Sequence, residues 1–187
     1  MARDALAWRM KFGVMGPSTN TIVQPEFDDL RPPGVTNHYS RILNSNAAAI
    51  SNETFLAGTR EIAGLTLDAV RWVMNAAPDH LVMGMSAVTF NDGVAGADSF
   101  AEQVRDVSGG LGVSIGSHST RDALNCYGGV KRIAFLSPYF PAMNDIVRAY
   151  FQDGADHAPR IRDLVRRVRD FDYIVTATEA EALVLED

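Results

Sequence analysis

The 187-residue chain has a single cysteine, Cys126, which excludes an internal disulfide and any C-x-x-C redox or metal motif. Such cysteine usage suits a reducing cytoplasm, where the protein is expected to reside. Its four histidines stand at positions 38, 80, 118 and 157, none with a histidine at i+4, so no dedicated metal site is expected. Long apolar runs are also missing. Nothing approaches the ~20 residues needed to cross a bilayer, and the opening MARDALAWRMKFGVMG lacks the apolar stretch of a secretory signal. Positive charge is in deficit, with 17 Lys and Arg against 23 Asp and Glu and a net charge of −6, so nucleic acid is not an expected partner. No G-x-x-x-x-G-K-[ST] phosphate loop occurs. Gly110-Leu111-Gly112 follows a helical pattern rather than a strand, so it is no dinucleotide fingerprint. No membrane partner is expected.

What is present is 47% hydrophobic residues, enough for one solid core or two small lobes. Short apolar runs alternate with helical periodicities. Arg9–Met15, Val35–Ile42, His80–Met85, Val113–Ile115, Lys131–Leu136 and Tyr173–Thr176 read as strands. Pro25, Pro32 and Pro33 exclude a long helix after the first strand. Residues 52–77 read as helical, with a break expected near Gly64. Phe100, Val104 and Val107 give the next helix its face, and Gly109-Gly110 stop it. Ser117 or Ser119 is expected to cap a helix carrying Ala123, Leu124 and Tyr127, which Gly128-Gly129 end. Met143, Ile146, Val147, Tyr150 and Phe151 form one further apolar stripe. Ile161, Leu164, Val165 and Val168 form another, opposite Arg160, Arg162, Arg166, Arg167 and Arg169, which read as a solvated face.

This alternation predicts an α/β fold, a mostly parallel, flavodoxin-like sheet with helices on both faces. Ligands of such sheets bind beyond the carboxyl ends of the strands. That rule directs attention to the loops 16–20, 84–90, 116–120 and 137–144, all rich in small polar residues. Ser18, Asn20, Gly84, Met85, Ser86, Ser117 and Ser119 offer hydroxyls, an amide and backbone N–H groups, and Tyr139 a phenol. Together they suit a small carboxylate without any cationic side chain. Gly84-Met85-Ser86-Ala87-Val88 also partly matches the hydrolase elbow G-x-S-x-G, with Val88 in place of the last glycine. A hydrolase would pair Ser86 with His118, whose acidic partner the sequence does not identify.

At these loops the sequence resembles a known family. "GVMGPSTNTIVQPEF", "NHYSRI", "VMGMSAVTF" and "GVKRIAFLSPYFPAMND" are similar, in order, to segments of maleate cis-trans isomerases and arylmalonate decarboxylases, of the aspartate/glutamate racemase superfamily. The resemblance implies a cofactor-independent enzyme of two α/β lobes, here 1–112 and 113–187, acting on a small dicarboxylate through an enediolate or carbanion. It implies that Asn20 contacts substrate, that Tyr139 bonds the carboxylate or enediolate, and that Gly84–Ser86 form the first-cysteine loop. In the decarboxylases glycine stands at about Gly84. No cysteine occupies either family position here. Ser86, Tyr139 and Glu179 are the candidate proton carriers. From about Asp153 the resemblance stops, so the second lobe is expected to be shortened and association into homo-oligomers is expected. The alternatives are a carboxylate-binding relative without turnover and a Ser-His hydrolase.

Overall fold

A computed structural model describes residues 4–45, 50–127, 132–135, 137, 139–153 and 160–163. In β1 (Met10–Pro17) the last five residues are all buried, so the strand needs cover on both faces and neighbours on both edges. It has them. β2 (Val35–Ile42) pairs with it in parallel along its whole length, from Met10 opposite Val35 to Pro17 opposite Ile42. β3 (His80–Met83) lies on its other side, and β4 (Val113–Ser114) extends the sheet beyond β3, both in parallel. The order β2-β1-β3-β4 is that of a doubly wound, flavodoxin-like α/β sheet. Its progress reverses between β1 and β3, the place where such sheets form a ligand crevice, here beyond Pro17 and Met83.

One face carries Met15, Ile42, Leu81 and Met83, which join the main core with α2 (Asn52–Val73) and α3 (Gly93–Val107). A reciprocal capping box starts α2. The Ser51 hydroxyl accepts from the Thr54 N–H, and the Thr54 hydroxyl accepts from the Ser51 N–H. The expected break at Gly64 is absent, and α2 is one helix of 22 residues. Gly64 faces solvent, and its weak propensity, about 1 kcal/mol below alanine, is outweighed by the buried stripe Ile62, Thr66, Ala69, Val70 and Val73. As expected, Phe100 and Val104 are the buried face of α3, and Gly109 and Gly110 stop it in positive-φ conformations. Only the seven-residue α1 (Val23–Asp29) follows β1, with Pro25 tolerated in its first turn.

α4 (Gly116–Cys126) corrects a second expectation. Neither Ser117 nor Ser119 caps it. The cap position is Ile115, which has no side-chain bond to offer. Ile115 is 1% exposed, and drawing it into the core starts the helix ahead of both hydroxyls. Leu124 packs against the core, but Tyr127 is exposed. α5 (Pro141–Asp153) buries Met143, Val147, Tyr150 and Phe151, with Tyr150 edge-on to Phe90 at 5.1 Å. β5 (Arg132–Phe135) and β6 (Arg160–Asp163) pair in parallel as a separate two-stranded sheet. Ile161 thus lies in a strand, not in the helix its spacing suggested. Leu164, Val165, Val168, the arginines at 166, 167 and 169, the Tyr173–Thr176 strand, Glu179 and Gly128-Gly129 lie outside the described residues. Among the described residues no helix is long and apolar enough to cross a membrane.

Candidate functional site

The crevice between β1 and β3 is drawn shut at its base by Gly84, whose N–H donates to the Met15 carbonyl at 2.6 Å. A Cβ at this position would stand 2.8 Å from Val23 Cγ1 and 2.9 Å from the Met15 oxygen, so only glycine fits. The chain then turns to half-buried Met85 and exposed Ser86. The Ser86 carbonyl accepts from both the N–H and the hydroxyl of Thr89, at 3.0 and 2.7 Å. These bonds open a 3₁₀ turn, Ala87–Phe90, whose four residues are all buried and anchor the loop. The Ser86 hydroxyl is hydrogen-bonded to the Tyr139 phenol. Gly116, opening α4, approaches so closely that a Cβ there would be 2.9 Å from Ser86 Cβ. Loops following β3, β4 and β5 therefore converge on Ser86. Among the described residues, the N–H groups of Met85 and Ser86 donate to no protein acceptor, and both remain for a ligand.

Tyr139 is held from its backbone. Its N–H donates to Ser137 Oγ at 3.2 Å, and its carbonyl accepts from Asn144 Nδ2 at 3.2 Å. Its ring leans on Phe55 of α2, with centroids 5.9 Å apart. Burial raises the pKa of the phenol above its ordinary 10, and the bond with Ser86 offsets this only in part. At neutral pH Tyr139 carries its proton.

The first loop is built differently from expectation. Ser18 is spent on β2: its N–H donates to the Ile42 carbonyl at 2.8 Å and its hydroxyl to Asn44 Oδ1 at 2.9 Å. Asn20 Oδ1 accepts from the N–H groups of Ile22 and Val23, closing the turn into α1 and leaving Nδ2 for other partners. The Asn20 carbonyl accepts from Arg41, which also donates to Gln24 Oε1 at 3.2 Å and lies 4.6 Å over the Tyr39 ring. Arg41 is thus a cation at the first loop, in a set of loops expected to lack one. Its signal was available: it shares a strand face with Tyr39 at the carboxyl end of β2.

Ser117 and Ser119 add less. Ser117 is fully buried, its N–H donates to Thr89 Oγ1 at 3.1 Å, and its hydroxyl neighbours the Tyr150 phenol without a well-formed bond to it. The Ser119 N–H is used inside the first turn of α4. His118 Nε2 lies 3.0 Å from Asp98 Oδ1, so the acidic partner the sequence did not identify is Asp98. The Ser86 hydroxyl goes to Tyr139, however, and no Ser86–His118 bond of the kind a hydrolase needs is formed. Among the described residues no cluster of His, Cys, Asp and Glu could hold a metal ion.

Solved structures share this fold at low sequence identity. A cysteine-to-alanine variant of maleate isomerase from Pseudomonas putida S16, crystallised with maleate, superposes with a TM-score of 0.67 at 18% identity, over 82% of this chain and 62% of that one. Arylmalonate decarboxylase gives a TM-score of 0.64 at 17% identity over 93% of this chain and 67% of its own. A maleate cis-trans isomerase of Nocardia farcinica, captured with a covalently bound succinylcysteine intermediate, gives 0.67 at 18% over 83% and 64%. A different likeness occupies the far end. Residues 142–187 match the UvrC-like GIY-YIG domain family. The UvrABC system protein C of Gloeobacter violaceus is 66% identical over 41 residues, 22% of this chain and 6% of that protein. The counterpart from Prochlorococcus marinus is 55% identical over 40 residues, again 6% of its length.

Proposed function

We propose that the protein binds a small malonate-type dicarboxylate beyond β1 and β3 and, without a cofactor, promotes loss of carbon dioxide or proton exchange at the carbon between the carboxylates. The observation that carries this reading is the Ser86–Tyr139 hydroxyl pair set beside the unspent N–H groups of Met85 and Ser86. One carboxylate accepts from those N–H groups. When the C–C bond to the other carboxylate breaks, its electron pair passes into an enediolate, and the same donors strengthen as charge grows on the oxygens. The Ser86 hydroxyl then gives its proton to carbon, Tyr139 reprotonates Ser86, and water returns a proton to Tyr139. Cis-trans isomerisation is the weaker fit. It requires a nucleophile that adds to an alkene, and a serine hydroxyl bonded to a neutral phenol is a poor one. The lone cysteine, Cys126, is exposed at the end of α4.

Incubation with an arylmalonate or with maleate in heavy water, followed by proton NMR, tests the reading. Arylmalonate should lose carbon dioxide with solvent deuterium in the product, while maleate binds without conversion. Tyr139→Phe and Ser86→Ala should each slow the reaction ~100-fold, the usual worth of a positioned proton donor. Binding of both ligands with no deuterium incorporated would leave a carboxylate-binding protein without turnover. The UvrC-like match of residues 142–187 points to a nuclease-like alternative, which cleavage of supercoiled DNA by the full chain with magnesium present would support.

A further inference from the structure

Asn144 is a polar side chain with 6% exposure, in the first turn of α5. A buried amide must satisfy its donors and acceptor inside the protein. Asn144 does so on the loop that carries Tyr139. Its Oδ1 accepts from the Ser137 hydroxyl at 2.5 Å, its Nδ2 donates to the Tyr139 carbonyl at 3.2 Å, and the Tyr139 N–H returns to Ser137 Oγ at 3.2 Å. Three bonds close a ring around one tyrosine backbone. The start of α5 does not need this amide. The Phe140 carbonyl takes the N–H groups of Met143 and Asn144, and Asn52 Oδ1, reaching across from α2, takes that of Ala142 at 3.1 Å. The side chain of Asn144 is therefore free to serve the loop rather than the helix.

We propose that Asn144 is the positioning residue of the site: through Ser137 and the Tyr139 backbone it holds the phenol against Ser86. The proposal rests on the proton-donor reading of Tyr139 but is measured separately from it. The full chain is labelled with fluorotyrosine, and the Tyr139 resonance among five tyrosines is assigned by its loss in Tyr139→Phe. Fluorine NMR then follows its titration in Asn144→Ala and Ser137→Ala. Both substitutions should release the phenol toward solvent and lower its titration midpoint by about half a unit or more. Both should also reduce kcat about tenfold with KM changed less than about threefold, as expected for loss of a group that acts in the transition state. A side chain that merely supported the helix would lower Tm and leave the titration unmoved, and that outcome overturns the proposal. If Asn144→Ala does not fold, Ser137→Ala decides by the same shift. If the wild type turns over no dicarboxylate while the resonance still moves, the functional reading falls and the positioning role stands.

Discussion

A methyl group added at Gly84 would have to sit within 2.9 Å of a backbone oxygen of β1, and a backbone atom gives way less readily than a side chain. Gly84→Ala should therefore cost about 1–3 kcal/mol, read as a lower urea midpoint, and should weaken dicarboxylate binding by parting the two loops that frame it. An unchanged midpoint would mean that the strands do not approach so closely. Titration gives a second test. Burial lowers the pKa of His80 below its ordinary 6.5; its ring sits edge-on to Phe12, and its Nε2 is 2.9 Å from Ser114 Oγ. The unfolded chain then binds a proton first as pH falls. The stability His80 contributes is present above pH 6.5 and is lost as pH drops from there through the folded value. Tyr39, Tyr139 and Tyr150 act at the other end. Burial raises all three, so stability should decline as pH climbs from about 10 through their folded values. Chemical denaturation across pH should show both limbs, with His80→Gln flattening the acid one. Ser86, Tyr139 and Asn20 stand out in the sequence as candidates because they lie in small polar loops after apolar runs and in segments that resemble the family. Arg41 left only the strand face it shares with Tyr39 as a signal, and Asn144 left none, because its bonds reach back 7 positions to Ser137.

The elements were most legible where burial imposed a clean period. Val35–Ile42 was read to the residue because a strand paired along its whole length leaves no ambiguity of extent. Gly64 misled because propensity is local, whereas the stripe holding α2 together is tertiary. Ile161 misled in the opposite sense. Its spacing to Leu164 and Val165 is helical, yet pairing with β5 placed it in a strand. The α2 glycines supply a prediction. An added Cβ at Gly58 or Gly64 meets nothing within 4 Å, and both sit inside a capped helix. Gly58→Ala and Gly64→Ala should each stabilise by about 0.5–1 kcal/mol. The shifts should add in the double variant, because each acts on the unfolded chain rather than on shared contacts. A loss of stability at either position would mean that the helix is not continuous there.

At the scale of the molecule two likenesses overlap: the fold neighbours superpose over 82% and 93% of the chain, and the UvrC-like match takes residues 142–187. The sequence resemblance to the isomerases and decarboxylases runs to about Asp153, while the UvrC-like match begins at residue 142. Identity is 17–18% to the fold neighbours and 66% over 41 residues to one UvrABC system protein C. The chain spans 62% of the maleate isomerase it superposes on and 6% of that UvrABC protein. The UvrC-like segment left no sign in the sequence motifs, because a short acidic and basic mixture with apolar spacing carries no chemistry of its own. Every group assigned to the site lies upstream of the described end of the chain: Asn20, Arg41, Met85, Ser86, Ser137, Tyr139 and Asn144. Ending the chain after Asp163, which keeps β6 paired with β5, should therefore leave the dissociation constant for maleate within about threefold, a change of less than 1 kcal/mol. Isothermal titration of the two forms measures this. A loss of tenfold or more would mean that the UvrC-like segment contributes to binding and that one site draws on both likenesses.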